Sequence, residues 1–533
     1  MEEKKLILRK PDEVVVRMYG QGFGDCFLLA FPRKKDGQKV DLENPSYVVI
    51  DSGVFYKTPG ERARMQAVAK SIHVATEGTI DLLIATHEHQ DHLSGFQYAK
   101  DDWKKIEVRR IWLAWTEDEK HPATQQYDHE KEALQLQVDM ALKVAHRYRE
   151  QDPTLARELQ QVRALTEFAV GGKIRPPRRL SKLPDLVLDD FAKDPGKRFN
   201  PNVKTERDFC EPGQVRTVPG TAVDAYVLGP PTAEARLVQD FDAGEVYPEE
   251  EPNKEASNAE HQAALAALAK RLELAAASDR AERESIAAAL RRRLSADADS
   301  EPMMDAGAPF RGTMSLPYAA ARQHPFFRNR YFEGRSDRQV ETDWLRGFGR
   351  LALQVDRVIN NTSLVLAFRL PDQRVLLFAA DAQVGNWLSW HEIQPRDWRR
   401  PEGGQVEHRP TAAELLARTV VYKVGHHGSH NATLKARGLE MMPDGLIAFI
   451  PTSRVFPQNQ QHWDIPFPTL IEALERKSGG RLVFPHERSI AGSTNTEFEE
   501  MVKSESADEK FPPMQLRGKT IEEAVPLWRQ VRI

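Results

Sequence analysis

The sequence predicts an α/β fold with large, partly helical insertions, and three observations carry this prediction. Short β-rich runs bounded by Gly, Pro and Asn recur in residues 1–100, and segments with helical spacing separate some of them. Between residues 101 and 350 such runs are rare, and several of them return after residue 350. At about 150 residues per domain, the 533 residues allow three or four domains or one elaborated domain, and the interrupted pattern favours the latter.

Residues 1–100 are predicted to form the first part of the core. The short apolar run Asp81–Thr86 (DLLIAT) is typical of a strand that is buried on both faces. The segment Glu61–Ser71 (ERARMQAVAKS) has the composition of a helix, which places a helix between neighbouring strands. Three further strands are predicted at Val14–Met18, Cys26–Phe31 and Tyr47–Asp51.

Residues 101–222 are predicted to be an insertion that is helical and rich in loops. Within it, Val108–Trp115 could add one more strand, and the stretch 126–151 carries an apolar stripe with helical spacing. A strand at 223–231, which ends in Gly-Pro-Pro, then returns the chain to the core.

Residues 232–350 are predicted to form a second insertion. Capping-box patterns at Ser257–Glu260 and Asp279–Glu282 each precede a stripe of apolar residues, and together they predict a helical hairpin over 256–296. This hairpin is either a solvated arm or the surface where a protein partner or a second copy of the chain docks.

Residues 351–490 are predicted to complete the core. Residues 491–533 carry few strand signals and are expected to form a C-terminal tail that is packed on the surface or partly mobile. The strands predicted in the second part of the core are Ser363–Phe368, Arg374–Ala380, Val420–Val424, Leu446–Ile450 and Arg481–Phe484.

The composition excludes several classes of protein. Hydrophobic residues make up 40% of the chain, which excludes global disorder. A net charge of −4 gives no general affinity for polyanions, so contact with nucleic acid needs a local basic patch. No apolar run reaches the ~18–20 residues that cross a bilayer, and the N-terminal sequence lacks a secretory apolar region. With two cysteines, neither a disulfide framework nor a thiolate metal site is expected, and the protein is predicted to be cytoplasmic.

The segment Thr86–His92 (THEHQDH) carries the sharpest chemical signal. It presents three imidazoles and a carboxylate directly after a predicted buried strand, where a loop would project side chains into a cleft. Imidazole and carboxylate donors without thiolate suit Zn²⁺, and Mn²⁺ or Fe less selectively. The alternative is a His-rich surface loop that binds metal by accident, and the preceding buried strand argues against it.

This motif resembles that of the metallo-β-lactamase superfamily, and five other segments support the resemblance. They point to the branch that contains the hydrolase domain of ComEC-type DNA-uptake proteins and its soluble relatives, without the membrane channel. The resemblance covers residues 12–100, 223–231 and 355–490. The five segments are Gly20–Cys26 (GQGFGDC), Val48–Gly53 (VVIDSG), Asn360–Leu364 (NNTSL), Phe378–Asp381 (FAAD) and Val424–His430 (VGHHGSH).

The resemblance implies a four-layer αββα metallo-β-lactamase fold that holds two divalent metal ions, Zn²⁺ first and Mn²⁺ as the alternative. One ion would lie on the first two histidines of the motif and the second on its last two residues, with a bridging aspartate from a distant strand end. A histidine of the His-His pair would complete the set. The implied ligands are His87, His89, Asp91, His92, Asp381 and His426.

Two further roles follow from the same resemblance. Asp51 would orient a ligand histidine through the ring nitrogen that faces away from the metal. His427 and Ser429 would face the substrate oxyanion, and either His426 or His427 could be the ligand. A metal-bound hydroxide would attack the substrate, with Asp91 and His427 as the catalytic residues.

The sequence departs from the superfamily pattern in three places. Ala380 stands where the family usually has Gly before the bridging aspartate. His462 is the nearest match to a His-Pro that often follows the His-His motif. A further ligand histidine, which the ComEC-type branch commonly lacks, has no recognisable counterpart among the candidates His121, His129, His146, His261 and His324.

The ComEC-type resemblance favours a nuclease or phosphodiesterase that acts on DNA or RNA. Arg328, Arg330 and Arg335 lie among aromatic residues and are candidates for nucleic-acid binding, unless this is a solvated loop with Phe326 and Phe327 packed in a core. The alternatives are a hydrolase of small esters, cyclic nucleotides or lactones, with the insertions as a lid, and a non-catalytic binding module. A serine hydrolase is rejected because Gly-x-Ser-x-Gly is absent.

Overall fold

The computed structural model describes thirteen stretches of the chain, and contacts divide it into two units. The first unit comprises Met1–Tyr247 and Trp344–Ile533, and the second comprises Pro248–Asp343. In the second unit, residues 323–328 are described, with a short helix at Pro325–Phe327. The described residues are 4–34, 39–56, 58–124, 127, 206–239, 241–242, 244–247, 323–328, 358–452, 465–485, 495–516, 519–522 and 524–533.

The first sheet has seven strands in the order β18-β1-β2-β3-β4-β5-β6. The pairs from β18 to β3 are antiparallel, and the pairs from β3 to β6 are parallel. The strands are β1 (Val15–Tyr19), β2 (Phe27–Lys34), β3 (Val40–Ile50), β4 (Thr79–Ala85), β5 (Glu107–Ala114), β6 (Glu206–Cys210) and β18 (Trp528–Arg532).

The second sheet also has seven strands, in the order β13-β12-β11-β10-β9-β8-β7. Its pairs from β13 to β10 are parallel, and those from β10 to β7 are antiparallel. The strands are β7 (Val215–Thr217), β8 (Asp224–Gly229), β9 (Val365–Arg369), β10 (Val375–Phe378), β11 (Thr419–Lys423), β12 (Ile447–Phe449) and β13 (Leu482–Val483).

Helices follow several of the strands, and two small two-stranded sheets lie near the C-terminal end of the described chain. One sheet pairs β14 (Lys510–Phe511) with β17 (Val525–Pro526), and the other pairs β15 (Met514–Leu516) with β16 (Lys519–Glu522). The helices are α1 (Glu61–Thr76), α2 (Gln90–Tyr98), α3 (Lys100–Trp103), α4 (Glu234–Leu237), α5 (Pro325–Phe327), α6 (Val384–Trp390), α7 (Ala412–Leu416), α8 (Pro468–Ser478) and α9 (Thr496–Ser504), and short 3₁₀ turns lie at Trp115–Glu117, Pro395–Asp397, Gly425–Gly428 and Leu439–Met441.

Three large clusters of buried apolar residues hold the first unit together. One contains side chains from both sheets, and within it the rings of Phe27 and Phe378 meet edge to face at 5.5 Å. The second joins the first sheet to α1, α2 and α3, and the third joins the second sheet to α6, α7 and α8. Strand β4 is buried on both faces, because Leu82 contributes to the first cluster and Leu83 to the second, and this explains its apolar run Leu82–Ala85.

The prediction of a mixed α/β fold is confirmed, and two segments differ from their predicted character. The predicted tail 491–533 contains α9 and five strands, and β18 pairs with β1 along five residues at the edge of the first sheet. The predicted insertion 101–222 contains β5, β6 and β7, which belong to the two large sheets. The predicted helical stretch 126–151, apart from Tyr127, and the predicted hairpin at 256–296 lie outside the described residues.

Within the described part of the chain, none of the helices combines the length and the apolar character that crossing a bilayer requires.

Candidate metal centre

The first sheet brings Asp51 and the His-rich loop together. Strands β3 and β4 are parallel neighbours, with Ile50 opposite Ile84, so the loops that follow them leave the sheet at the same edge. Asp51 accepts hydrogen bonds from Thr86, at 2.8 Å from its backbone N to Oδ1 and at 2.7 Å from its Oγ1 to Oδ2. The loop after β3 is thereby fixed to the start of the motif after β4.

Close backbone approach fixes the same loop from the other side. Asp25 N donates to the carbonyl oxygen of Asp91 at 3.0 Å, and Ser52 N donates to that of His92 at 2.8 Å. A Cβ atom at Gly53 would lie 2.1 Å from the carbonyl carbon of Asp91, so this approach requires glycine. The GQGFGDC and VVIDSG segments therefore clamp the start of α2.

The second sheet supplies the remaining side chains in the same manner. Strands β10 and β11 are parallel, with Phe378 opposite Lys423, and the residues that follow them carry Asp381 and the His-His pair. The φ angles of Ala380, His426 and His427 are 47°, 39° and 53°, which places three non-glycine residues in the left-handed region. Such strain persists where the surrounding structure holds it, and it is common at functional sites.

Four imidazoles converge on a single carboxylate oxygen, Asp381 Oδ2. This atom lies 3.1 Å from Nε2 of His92 and 3.6 Å from Nε2 of His427. It lies 4.0 Å from Nε2 of both His87 and His426. These side chains are buried, so the loops of both sheets meet in a small volume from which water is largely excluded.

The remaining motif residues extend the cluster on both sides of Asp381. His89 Nδ1 lies 3.1 Å from His87 Nε2, and Asp91 Oδ2 lies 2.8 Å from His427 Nε2. Two groups of these buried side chains could hold a metal ion. The groups are His87 with His89 and Asp381, and Asp25 with His92, Asp381 and His427.

Polar contacts on the opposite ring nitrogens orient the imidazoles. Asp51 Oδ2 lies 2.7 Å from His92 Nδ1, and the carbonyl oxygen of Pro451 lies 2.9 Å from His427 Nδ1. On His426, Nδ1 lies 3.1 Å from Nε2 of Gln383. In each case Nε2 is left facing Asp381, as in metal-binding histidines that are held through their second nitrogen.

The donor atoms fit a cation. His92 Nε2, Asp91 Oδ1 and Asp381 Oδ2 are fully buried, and none of them has a hydrogen-bond partner within the described part of the chain. Buried polar atoms are almost always satisfied, so these unsatisfied nitrogen and carboxylate oxygen atoms need an explanation. Divalent ions bound by these side chains would satisfy them.

The buried carboxylates of the site also favour positive charge beside them. Burial disfavours the imidazolium of His92 and His427, but the carboxylate of Asp381 and other nearby carboxylates outweigh it and raise the pKa of both rings. Burial lowers the pKa of His87 and His89, and it lowers that of His426 to about 4. The latter three rings are therefore neutral at pH 7, which is the form in which an imidazole binds a metal ion.

The structure brings together all of the residues predicted from the motifs, namely His87, His89, Asp91, His92, Asp381, His426, His427 and Asp51. His427 is fully buried and belongs to one of the two candidate groups, whereas His426 keeps 7% exposure. Ser429, predicted to face the substrate, is 8% exposed.

Sequence reasoning assigned no role to Asp25 or Lys423. Asp25 lies in the GQGFGDC segment, in which the sequence pattern draws attention to the glycines and not to the aspartate. Lys423 ends a strand and looked like an ordinary strand residue, although a lysine in an apolar run was a signal that could have been used. Lys423 Nζ lies 2.5 Å from Asp25 Oδ2 and 3.3 Å from Asp381 Oδ1.

The other candidates fall elsewhere. His121 packs against Trp115, and neither it nor His324 belongs to the candidate metal groups found in the described residues. Phe326 and Phe327 are 62% and 37% exposed, so they are not packed in a core. Arg328 follows them in the chain. The candidate residues that lie outside the described part are Arg330, Arg335, His129, His146, His261 and His462.

The candidate metal centre is thus defined by its own geometry, with donors from both large sheets around Asp381. In comparisons with family models, with curated proteins and with solved structures, this chain shows no match.

Proposed function

We propose that this protein is a metal-dependent hydrolase of the metallo-β-lactamase superfamily that cleaves phosphodiester bonds in DNA or RNA. The observation that carries the proposal is the convergence of four imidazole nitrogens on Asp381 Oδ2. The arrangement of the cores supports the four-layer αββα architecture, because apolar clusters join the two sheets to each other and each sheet to its helices.

Two divalent ions fit the donor set better than one. His87 and His89 would hold the first ion, and His92 and His427 would hold the second, with Asp381 shared between them. Asp91, whose Oδ2 lies 2.8 Å from His427 Nε2, would join the second set. Among the described residues of the cluster, there are four buried carboxylates and one ammonium, that of Lys423. One divalent ion would leave this site negative, which is costly in a buried place, whereas two would leave it slightly positive. The four carboxylates are those of Asp25, Asp51, Asp91 and Asp381.

Nitrogen and oxygen donors suit Zn²⁺ and also accept Mn²⁺. Bound divalent ions would lower the pKa of water toward about 7 and stabilise negative charge on a phosphoryl oxygen. The chain itself supplies orientation and proton transfer. In this proposal Asp91 would accept the proton of the attacking water, and its buried Oδ1, which has no hydrogen-bond partner in the described part, supports that role.

The exposed fractions of His426 and His427 favour the reverse of the roles that the sequence predicted for them, with His427 as the metal ligand and His426 facing the substrate. His427 has no exposed surface, and Asp91 and Pro451 contact its two ring nitrogens. His426 and Ser429 keep 7% and 8% exposure. We therefore assign His427 to the metal ions and His426 to the substrate, where a neutral imidazole can donate a hydrogen bond to a phosphoryl oxygen.

Nucleic acid is the proposed substrate because of the second unit as well as the ComEC-type resemblance. Phe326 and Phe327 are exposed and lie beside Arg328, and their rings meet edge to face at 5.3 Å. Exposed aromatic rings beside arginine are suited to stack on unpaired bases and to contact phosphates.

The test is metal quantification on the purified protein, followed by incubation with labelled single- and double-stranded DNA and RNA. We expect close to two ions per chain and metal-dependent cleavage that is lost in Asp91→Ala and Asp381→Ala. Asp101→Asn, a change at a side chain that is 93% exposed, serves as the matched control and should keep full activity. Intact nucleic acids together with turnover of a small-ester panel would select a small-molecule hydrolase instead, and a metal content near zero would select a binding module.

A further inference from the structure

Lys423 is a buried charged group that the proposed reaction does not use. It is the last residue of β11 and is 1% exposed, a position that lysine rarely takes unless it is paired. Its ammonium contacts three oxygens: Asp25 Oδ2 at 2.5 Å, the Ala380 carbonyl at 2.7 Å and Asp381 Oδ1 at 3.3 Å. The three hydrogens of the ammonium therefore each have an acceptor.

These contacts fix the carboxylate of Asp381 in one orientation. Lys423 takes Oδ1, and Oδ2 is thereby left to face the four imidazoles. The backbone is held as well, since Lys423 binds the carbonyl of Ala380 and Asp381 N donates to Ser363 Oγ at 3.2 Å. A rotation of the carboxylate would break the contact with Lys423.

Asp25 holds Lys423 from the opposite sheet. It lies in the loop between β1 and β2, and its backbone N donates to the carbonyl of Asp91. The carboxylate oxygens of Asp25 lie 3.8 Å from Nδ1 of His92 and 3.5 Å from Nδ1 of His427. These are the ring edges that face away from Asp381 Oδ2, so Asp25 lies behind the ligand set although its spacing alone is compatible with metal binding.

We propose that Lys423 and Asp25 form a positioning pair that locks the shared carboxylate of Asp381 and joins the two halves of the metal centre. This inference rests on the proposed metal centre. The pair fixes which oxygen of Asp381 is offered to the ions, and it connects the strand that precedes the His-His pair with the loop that clamps Asp91. Pre-organised ligands bind metal more tightly because less order is lost on binding.

The sign of the effect separates positioning from simple charge. Removal of a nearby positive charge alone would strengthen the binding of cations. Loss of positioning would weaken it. The double variant Asp25→Asn/Lys423→Met keeps the net charge of the site constant, so any change in metal affinity reports positioning. The matched control is Asp444→Asn/Lys477→Met, which removes a lysine–aspartate pair whose atoms lie 3.0 Å apart on the surface.

The experiment measures Zn²⁺ and Co²⁺ stoichiometry, affinity by chelator competition, and the visible spectrum of the Co²⁺-loaded protein, with circular dichroism to check folding. In the double variant we expect at least tenfold weaker binding of one ion and an altered Co²⁺ spectrum, and in the control no change. Wild-type affinity and spectrum in the double variant, or tighter binding in Lys423→Met alone, would overturn the proposal.

A third variant covers the case in which the double variant does not fold. Lys423→Arg keeps the charge, but its planar guanidinium does not reproduce the three contacts of the ammonium. We expect it to fold and to bind metal with an affinity between those of the wild type and Lys423→Met, and wild-type affinity in Lys423→Arg would contradict the positioning role. Wild-type protein that binds neither ion would refute the proposed metal centre itself, before any variant is compared.

Discussion

The substitution Asp51→Asn tests the orientation of His92 by an atom-for-atom exchange. Asp51 Oδ1 accepts from Thr86 N at 2.8 Å, and Oδ2 accepts from Thr86 Oγ1 and faces His92 Nδ1, both at 2.7 Å. A carboxylate can only accept at these positions, so the proton of a neutral His92 lies on Nδ1 and the lone pair on Nε2 faces Asp381. Both oxygen positions of Asp51 therefore require a hydrogen-bond acceptor, and an amide NH₂ group fits neither of them.

Neither orientation of asparagine satisfies these contacts. With its NH₂ group in the place of Oδ1, two donors face each other at 2.8 Å, the distance now separating Thr86 N and Oδ1. With NH₂ in the place of Oδ2, it donates to His92 Nδ1 and drives the ring proton onto Nε2, the atom required for metal. The loss is that of a hydrogen bond to a charged group, about 1.5–3 kcal/mol, which corresponds to about 10- to 100-fold weaker metal binding.

Chelator competition with Zn²⁺ measures this loss directly, with Asp101→Asn as the exposed control. Thermal unfolding of both metal-free proteins checks that the fold is kept. Affinities of Asp51→Asn for both ions within twofold of the wild type would refute the argument, because they would mean that the tautomer of His92 does not matter.

In the metal-free protein, burial lowers the pKa of His426 to about 4 from 6.5, so below pH 6.5 the unfolded chain binds a proton that the folded chain excludes. The contribution of neutral His426 to the free energy of unfolding is thus fully present above pH 6.5 and falls by about 3 kcal/mol by pH 4. Urea unfolding should show this loss in the wild type and not in His426→Gln. Burial opposes the charged forms of His92 and His427, but carboxylates led by Asp381 raise the pKa of both rings, so metal ions must displace protons there. Affinity should therefore rise with pH, and calorimetry in buffers of different ionisation enthalpy should detect proton release; pH-independent binding would contradict this. Ala380→Gly relieves a φ of 47° and should leave stability unchanged or raise it by up to about 1 kcal/mol, whereas a clear fall in melting temperature would count against strain at this residue.

The sequence was most informative where the chemistry is local. Thr86–His92 collects its donors within seven consecutive residues, and the apolar strand before it is visible as a pattern. Asp381 and His426 are far away in the sequence and were found through their own short motifs. Lys423 could not be interpreted in this way, because the carboxylate that pairs with it lies 398 positions earlier and alternation along β11 says nothing about a partner.

The two strands that differ most from expectation are edge strands with charged residues. Strand β6 has the sequence ERDFC and β18 has WRQVR, and neither shows the apolar run that revealed β4. Arg529 in β18 is buried because Glu499 binds it at 2.6 Å and the carbonyl of Phe484 accepts from it. From sequence alone, an arginine is predicted to lie on the surface, and only its partners explain why this one is buried.

The pairing of β1 with β18 makes the first sheet depend on a meeting of distant parts of the chain. Arg17 Nε donates to Gln530 Oε1 across 513 positions. Throughout synthesis of the intervening residues, the backbone edge of β1 stays open to any other extended peptide, and chain closure over such a distance is slow. Truncation before Trp528 should consequently yield a species that self-associates through β1, with chaperones competing for the same edge in a cell.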